Sequence, residues 1–147
     1  MREVFLKELL TNLVSRYPNW KVEDHSKIEW KGQPRDIWPE ADIVISMPGR
    51  RFIVEYNEDG DPGRSLIKYW PVLEDLVEGS LTIIEVCKNG QTIGQGYSTL
   101  ATWLGEKMME LYPGTIYKYI ERTNEPSDYI CEKIAQVIFG IGPFSNI

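Results

Sequence analysis

The chain has 147 residues, a length that fits one domain. Hydrophobic residues make up 42% of it and charged residues 26%, which is typical of a folded globular protein and excludes a disordered or fibrous one. The sequence contains no run of about 18 apolar residues, the length that a membrane helix needs. We therefore expect a cytoplasmic domain with no membrane contact.

Charge is distributed unevenly along the chain. The net charge of −6 disfavours avid nonspecific binding of nucleic acid, because such binding depends on neutralising phosphates with Lys and Arg. Residues 1–73 carry 11 basic and 12 acidic side chains, whereas residues 74–147 carry 5 and 10. We therefore expect any phosphate-binding surface to lie in the first half of the chain.

The hydrophobic pattern predicts the element order α-β-β-β-α-β-α-β-α. Apolar residues at spacings of three and four predict helices over residues 3–16, 64–77, 98–111 and 128–139. Runs rich in β-branched and aromatic residues predict strands over residues 26–31, 41–46, 51–56, 81–87 and 115–120. The second and third of these strands are apolar on both faces, so we expect an α/β domain whose mixed central sheet is flanked by helices on both faces.

The two central strands carry the residues on which the functional hypothesis depends. The segment between them, residues 47–50, has a Pro-Gly step and predicts a hairpin. A turn centred on that step places Asp42 directly opposite Glu55. Opposed strand positions have Cβ atoms about 4.5–5.5 Å apart, and like charges there destabilise a sheet. We therefore expect a feature that offsets this repulsion.

Three features would offset it: a protonated carboxyl, a basic group between the two acids, or a divalent cation bound to both. No basic residue lies next to either acid in sequence on that face of the hairpin. Mg²⁺, or Mn²⁺ in its place, is therefore the simplest explanation, because Mg²⁺ commonly binds one or two carboxylates together with water and substrate phosphate.

The run Pro39-Glu40-Ala41-Asp42, followed by the hairpin and by Phe52-Ile53-Val54-Glu55-Tyr56-Asn57, resembles the PD-(D/E)XK superfamily of restriction-endonuclease-like nucleases. By order of elements the resemblance covers about residues 1–90, matching that family's αβββαβ core, and leaves about residues 94–147 as a C-terminal elaboration of a single domain. The resemblance implies metal-dependent hydrolysis of phosphodiester bonds, with DNA as the expected substrate. It also implies that Asp42 and Glu55 bind the metal.

The resemblance assigns further roles. The family has a lysine two residues after the glutamate, where it orients the attacking water, and Asn57 occupies that position here. Some members supply the lysine from the following helix, which makes Lys68 the candidate for this catalytic role. Arg64, four residues earlier on the same helical face, is expected to bind substrate phosphate together with Ser65. Glu8 on the first helix is expected as a third metal ligand, since the family often places a glutamate there.

Three other interpretations stay open. The two acids also fit strand ends that lie near solvent. The missing motif lysine and the acidic second half fit a nuclease-like domain that has lost activity and serves as an interaction module for nucleic acid or protein. A third alternative is a subunit that completes its site only in an oligomer, such as a homodimer.

Overall fold

The structure, a computed structural model, describes residues 2–57, 63–74, 80–88, 95–122 and 127–140. The helices are α1 (Arg2–Val14), α2 (Arg64–Glu74), α3 (Gln95–Leu111) and α4 (Ser127–Ile138). The strands are β1 (Lys21–Lys27), β2 (Glu40–Met47), β3 (Arg50–Tyr56), β4 (Ser80–Lys88) and β5 (Thr115–Arg122), with a 3-10 helix over Arg35–Ile37 between β1 and β2. The predicted order of helices and strands is confirmed.

The strands form one mixed sheet in the order β1-β2-β3-β4-β5. Strand β2 runs antiparallel to both of its neighbours, β1 and β3, whereas β3, β4 and β5 run parallel to one another. Parallel neighbours need a crossover connection, and α2 and α3 supply the two crossovers. The predicted α/β class with a mixed central sheet is confirmed.

Each face of the sheet has its own hydrophobic core, as the apolar faces of β2 and β3 predict. Helices α1 and α4 pack on one face, whose buried residues include Leu6, Leu10, Ile43, Ile45, Phe52, Val54, Ile84, Ile130 and Ile134. Helices α2 and α3 pack on the other, whose buried residues include Val44, Ile53, Leu66, Tyr69, Leu73, Ile83, Met108 and Tyr117. Helices therefore cover both faces, and any polar side chain that β3 directs toward α2 lies at a helix-sheet interface.

The first strand is the element whose predicted bounds are wrong. The prediction placed it at residues 26–31, but β1 spans Lys21–Lys27. This strand lies at the edge of the sheet, and its sequence KVEDHSK is largely polar, so it lacks the apolar alternation that identifies a half-buried strand. The predicted strand included Ile28 instead, an apolar residue that is buried just beyond the end of β1. Helix α2 runs through Pro71, and residues 75–77 of the predicted helix lie outside the described residues.

Helix α3 approaches β5 most closely at Gly105. A Cβ atom added to this glycine would overlap the aromatic ring of Tyr117, which belongs to the core between α3 and the sheet. Only a residue without a side chain allows the helix to pack at this separation. Gly105 therefore fixes the distance between α3 and β5.

We expect Gly105→Ala to lower the free energy of unfolding by about 1–3 kcal/mol, because it overpacks this core. Urea denaturation measures the loss. Glu106→Ala, at an exposed position of the same helix, is the matched control and should change stability by less than about 0.5 kcal/mol. Equal stability of the two variants would contradict the close approach of helix and strand.

Candidate active site

The β2–β3 hairpin has the predicted register. Val44 pairs with Ile53 and Ser46 with Arg51, and the ladder of paired residues continues to Ile43 and Val54. The next position in this register places Asp42 against Glu55. There the side chains replace the backbone ladder: the Tyr56 N–H donates to Oδ2 of Asp42 at 2.9 Å, and the Asp42 N–H lies 3.4 Å from Oε2 of Glu55. Each carboxylate thus binds a backbone amide of the opposite strand.

Glu55 points toward α2. Its side chain is only 7% exposed, and its Oε1 accepts hydrogen bonds from Nζ of Lys68 at 2.7 Å and from the Tyr69 hydroxyl at 2.5 Å. The two donors are consecutive residues of α2, and Lys68 keeps 36% of its side chain exposed. The ammonium group therefore reaches from the protein surface to a buried carboxylate.

Lys68 is thus the basic group that offsets the repulsion between the two acids. The sequence alone placed no basic residue beside the pair, because Lys68 comes from the helix that follows β3 rather than from either strand. Bringing Asp42, Glu55 and Lys68 together requires both the hairpin register and the packing of α2 on this face. We call these three residues, together with Tyr69, the carboxylate cluster.

Burial raises the pKa of Glu55 to about 7, and the negative charge of Asp42 adds to the rise. The hydrogen bonds and charge contributed by Lys68 and Tyr69 act in the opposite direction but do not cancel it. Glu55 therefore changes its protonation state near neutral pH. Burial and the charge of Glu55 also raise the pKa of Tyr69, so this hydroxyl stays a proton donor.

Glu8, expected as a third metal ligand, lies away from the carboxylate cluster. It is exposed on α1, the helix that packs on the opposite face of the sheet. There it lines an open cavity that also contains Lys7 and Asp24, which form an ion pair of 2.9 Å. The expectation for Glu8 was based on its position along the helix, and its position does not fix which sheet face the helix covers.

The other expected residues divide between the surface and the interior. Arg64 is exposed at the first position of α2. Ser65 is buried, and its hydroxyl donates to Oε2 of Glu85 at 3.1 Å, so this side chain is used inside the protein. The Asn57 N–H donates to the carbonyl of Val86 on β4 at 2.8 Å. Burial and the charge of Glu85 raise the pKa of the nearby Cys87 thiol, and a hydrogen bond with Asn57 opposes that rise.

Glu85 is a buried acid that the sequence prediction missed. It is fully buried on β4, next to Glu55 in the parallel pairing of β3 and β4. It accepts hydrogen bonds from the Gly63 N–H at 2.9 Å and the Tyr117 hydroxyl at 2.6 Å, in addition to Ser65. A signal was present in the sequence, since an acid inside the apolar run 81–87 needs partners to offset the loss of hydration.

The carboxylate cluster has the donor chemistry of a Mg²⁺ or Mn²⁺ site. Hard cations of this kind prefer carboxylate oxygens. Within the described residues, Oδ1 of Asp42 accepts no hydrogen bond, and Oε2 of Glu55 has only the long contact to the Asp42 amide. No group of three or more His, Cys, Asp and Glu residues suited to a metal occurs in the described part of the chain. Asp42 and Glu55 are thus the carboxylates of this cluster that have an oxygen without a close hydrogen-bond donor among the described residues.

Comparison with known proteins adds no relative. No family model matches the chain, and no curated protein or solved structure matches it. Among the helices in the described ranges, none is long and apolar enough to cross a membrane. The geometry of the carboxylate cluster is therefore the feature from which a function can be inferred.

The pKa of Glu55 predicts how stability depends on pH. The folded-state value of about 7 lies above the ordinary value of 4.5, so the folded protein holds this proton more tightly than the unfolded chain does. The resulting stabilisation is complete below pH 4.5 and is lost as the pH rises through 7, by about 3 kcal/mol in total. We expect Glu55→Gln to lose this part of the pH dependence.

Urea denaturation at pH 5 and at pH 8 measures the effect. Stability of the unmodified protein should decline between the two pH values more than stability of Glu55→Gln does. Glu106→Gln, an exposed carboxylate outside the cluster, is the control and should keep the full decline. The same pH dependence in Glu55→Gln and in the unmodified protein would show that Glu55 ionises at its ordinary pKa.

Proposed function

We propose that this protein is a Mg²⁺-dependent nuclease of the PD-(D/E)XK type that hydrolyses phosphodiester bonds in DNA. The observation that carries the proposal is the contact of Lys68 with Glu55 at 2.7 Å, beside Asp42 on the neighbouring strand. Two carboxylates and one lysine on this hairpin and the following helix are the set that the resemblance requires. The order α1-β1-β2-β3-α2-β4 also agrees with the αβββαβ core of that family.

Asp42 and Glu55 would hold the metal. A bound Mg²⁺ lowers the pKa of water and neutralises charge that develops on the phosphoryl oxygens. Tyr69 and Lys68 both bind Oε1 of Glu55 and so fix the orientation of this carboxylate. The backbone amide of Tyr56 fixes Asp42 in the same way.

Lys68 takes the role of the motif lysine in this proposal. Its ammonium group is held by a buried carboxylate but remains partly exposed, so it is placed to orient an attacking water or to contact a phosphoryl oxygen. Arg64 lies one helical turn earlier on the same side of α2, where it is available to bind phosphate. Since Ser65 is turned toward Glu85, Arg64 is the stronger candidate of the two for substrate binding.

One observation favours the alternative of an inactive interaction module. Lys68 forms an ion pair of 2.7 Å with Glu55, so the protein itself supplies a positive charge to the two acids. In such a module the cluster would stabilise the fold, and the surface around it would bind nucleic acid or protein. Metal binding and catalysis separate the two functions.

Metal binding should be visible as thermal stabilisation. We expect Mg²⁺ or Mn²⁺ at about 100 times its Kd to raise the Tm of the unmodified protein by about 5 °C or more, because the cation binds the folded state alone. Asp42→Ala and Glu55→Ala should show no such rise. Glu8→Ala is the control that keeps the response, since Glu8 lies away from the cluster. A Tm of the unmodified protein that is insensitive to both cations would exclude the metal-dependent enzyme.

Catalysis should depend on Lys68 more than on Asn57. We expect Lys68→Ala to lower the rate of DNA cleavage in Mn²⁺ by about 10²-fold or more, because it removes a charge aimed at the reacting phosphate. Asn57→Ala should stay within about threefold of the unmodified protein if Asn57 serves Cys87 rather than the reaction. Equal cleavage by the unmodified protein and Lys68→Ala would reject the assignment. Metal binding without any cleavage would favour the interaction module.

A further inference from the structure

Glu85 is a completely buried carboxylate that the proposed reaction does not use. Backbone amides and hydroxyl groups of the described residues donate hydrogen bonds to its oxygens. Oε1 accepts from the Gly63 N–H at 2.9 Å and the Tyr117 hydroxyl at 2.6 Å, and Oε2 accepts from the hydroxyl of Ser65 at 3.1 Å, with the Ser65 N–H at 3.4 Å. Both oxygens of Glu85 therefore have hydrogen-bond partners inside the protein.

Two of these donors are backbone amides at the start of α2. The first N–H groups of a helix have no partner inside the helix, and they favour an oxygen acceptor and a negative charge. Glu85 supplies the oxygen acceptor from a strand, 20 residues further along the chain than Ser65. It therefore caps α2 from the sheet, whereas most helices are capped by the residue that precedes them.

The backbone at this helix start lies close to α3. Gly63 has a φ of +91°, which an L side chain rarely adopts, and a Cβ atom at this position would lie 3.4 Å from that of Ala101 on α3. The amide that Glu85 binds is thus held between the sheet on one side and α3 on the other. If Glu85 were displaced, the start of α2 would have to shift with it.

The parallel pairing of β3 and β4 places Glu85 beside Glu55. These two carboxylates bind successive parts of one helix: Glu85 binds Gly63 and Ser65, and Glu55 binds Lys68 and Tyr69 about one turn later. The start of α2 is therefore attached to β4, and the turn that carries Lys68 and Tyr69 is attached to β3. The distance between the strands sets the position of Lys68.

We propose that Glu85 is a positioning residue whose buried carboxylate fixes the start of α2 so that Lys68 and Tyr69 reach Glu55. The effect of Glu85 on catalysis rests on the proposed nuclease function, but its effect on the position of Lys68 does not. Packing alone does not explain an acid here, since burying a carboxylate is costly and an apolar side chain would fill the space between sheet and helix. The donors around Glu85 specify one arrangement of the helix start.

The replacement Glu85→Gln tests this role with little change in size. Its amide group is a donor, and the backbone N–H groups of Gly63 and Ser65 cannot accept a hydrogen bond, so at least one of them loses a partner whichever way the amide is turned. Tyr117→Phe is the matched control, because it removes a hydrogen bond to Glu85 that does not come from α2. Tyr117→Phe should lower the free energy of unfolding without displacing Lys68.

The measurement is the NMR signal of the Lys68 side-chain ammonium in the metal-free, full-length protein, assigned by its absence in Lys68→Met. We expect a distinct, slowly exchanging signal in the unmodified protein and in Tyr117→Phe, and its loss or a shift to the position of exposed lysines in Glu85→Gln. An unchanged signal in folded Glu85→Gln would overturn the proposal. If that variant does not fold, Ser65→Ala takes its place and should weaken the signal through the same contact.

Kinetics provide a second readout when cleavage is observed. Glu85→Gln should lower kcat by about tenfold or more, because misplacing a catalytic group is costly even over small distances. In the Lys68→Met background, Glu85→Gln should cause no further loss of kcat. If Glu85→Gln lowers kcat by the same factor in the Lys68→Met background as in the unmodified protein, the proposal is overturned. Absence of cleavage in the unmodified protein would reject the nuclease function and leave the NMR result to decide the role of Glu85.

Discussion

The register of the β2–β3 hairpin is the constraint on which the site depends. It sets Asp42 against Glu55 at the point where the backbone ladder ends, and the two carboxylates then take over as acceptors for the amides of the opposite strands. A shift of one residue would turn one of these acids toward the other face of the sheet. It would also exchange the apolar side chains of the same strand between the two hydrophobic cores. The hydrophobic cores that stabilise the sheet therefore also hold the acids together.

The second level of organisation is the attachment of α2 to the sheet through buried charge. Apolar contacts of Leu66, Tyr69 and Leu73 hold this helix on its face, but such contacts are not directional. Glu55 and Glu85 add hydrogen bonds at two points of the helix and thereby fix its position along its axis and its rotation. The pKa of Glu55, raised to about 7, shows that this arrangement holds a carboxyl in an environment that opposes its ionisation.

The sequence predicted the order of elements, the hairpin register and the contact of Asp42 with Glu55, because these follow from local patterns of apolar residues and from one turn. It did not predict the bounds of β1, whose polar edge position hides the pattern. Nor did it predict that Glu85 stands beside Glu55, since parallel pairing of β3 with β4 is set by a crossover helix. The sequence also did not show which face of the sheet α1 covers, because that is a tertiary property. Helix α1 covers the face opposite the carboxylate cluster, which places Glu8 away from Asp42 and Glu55.

The edge strand β1 affects how copies of this protein can associate. Its charged and polar residues leave few apolar groups for a partner, and His25 has a φ of +48°, which interrupts the regular extended backbone. Charges and local distortions on edge strands disfavour the docking of a foreign strand. A continuous intermolecular sheet through this edge is therefore disfavoured, and self-association by such strand addition is opposed by the same polar residues that obscured β1 in the sequence.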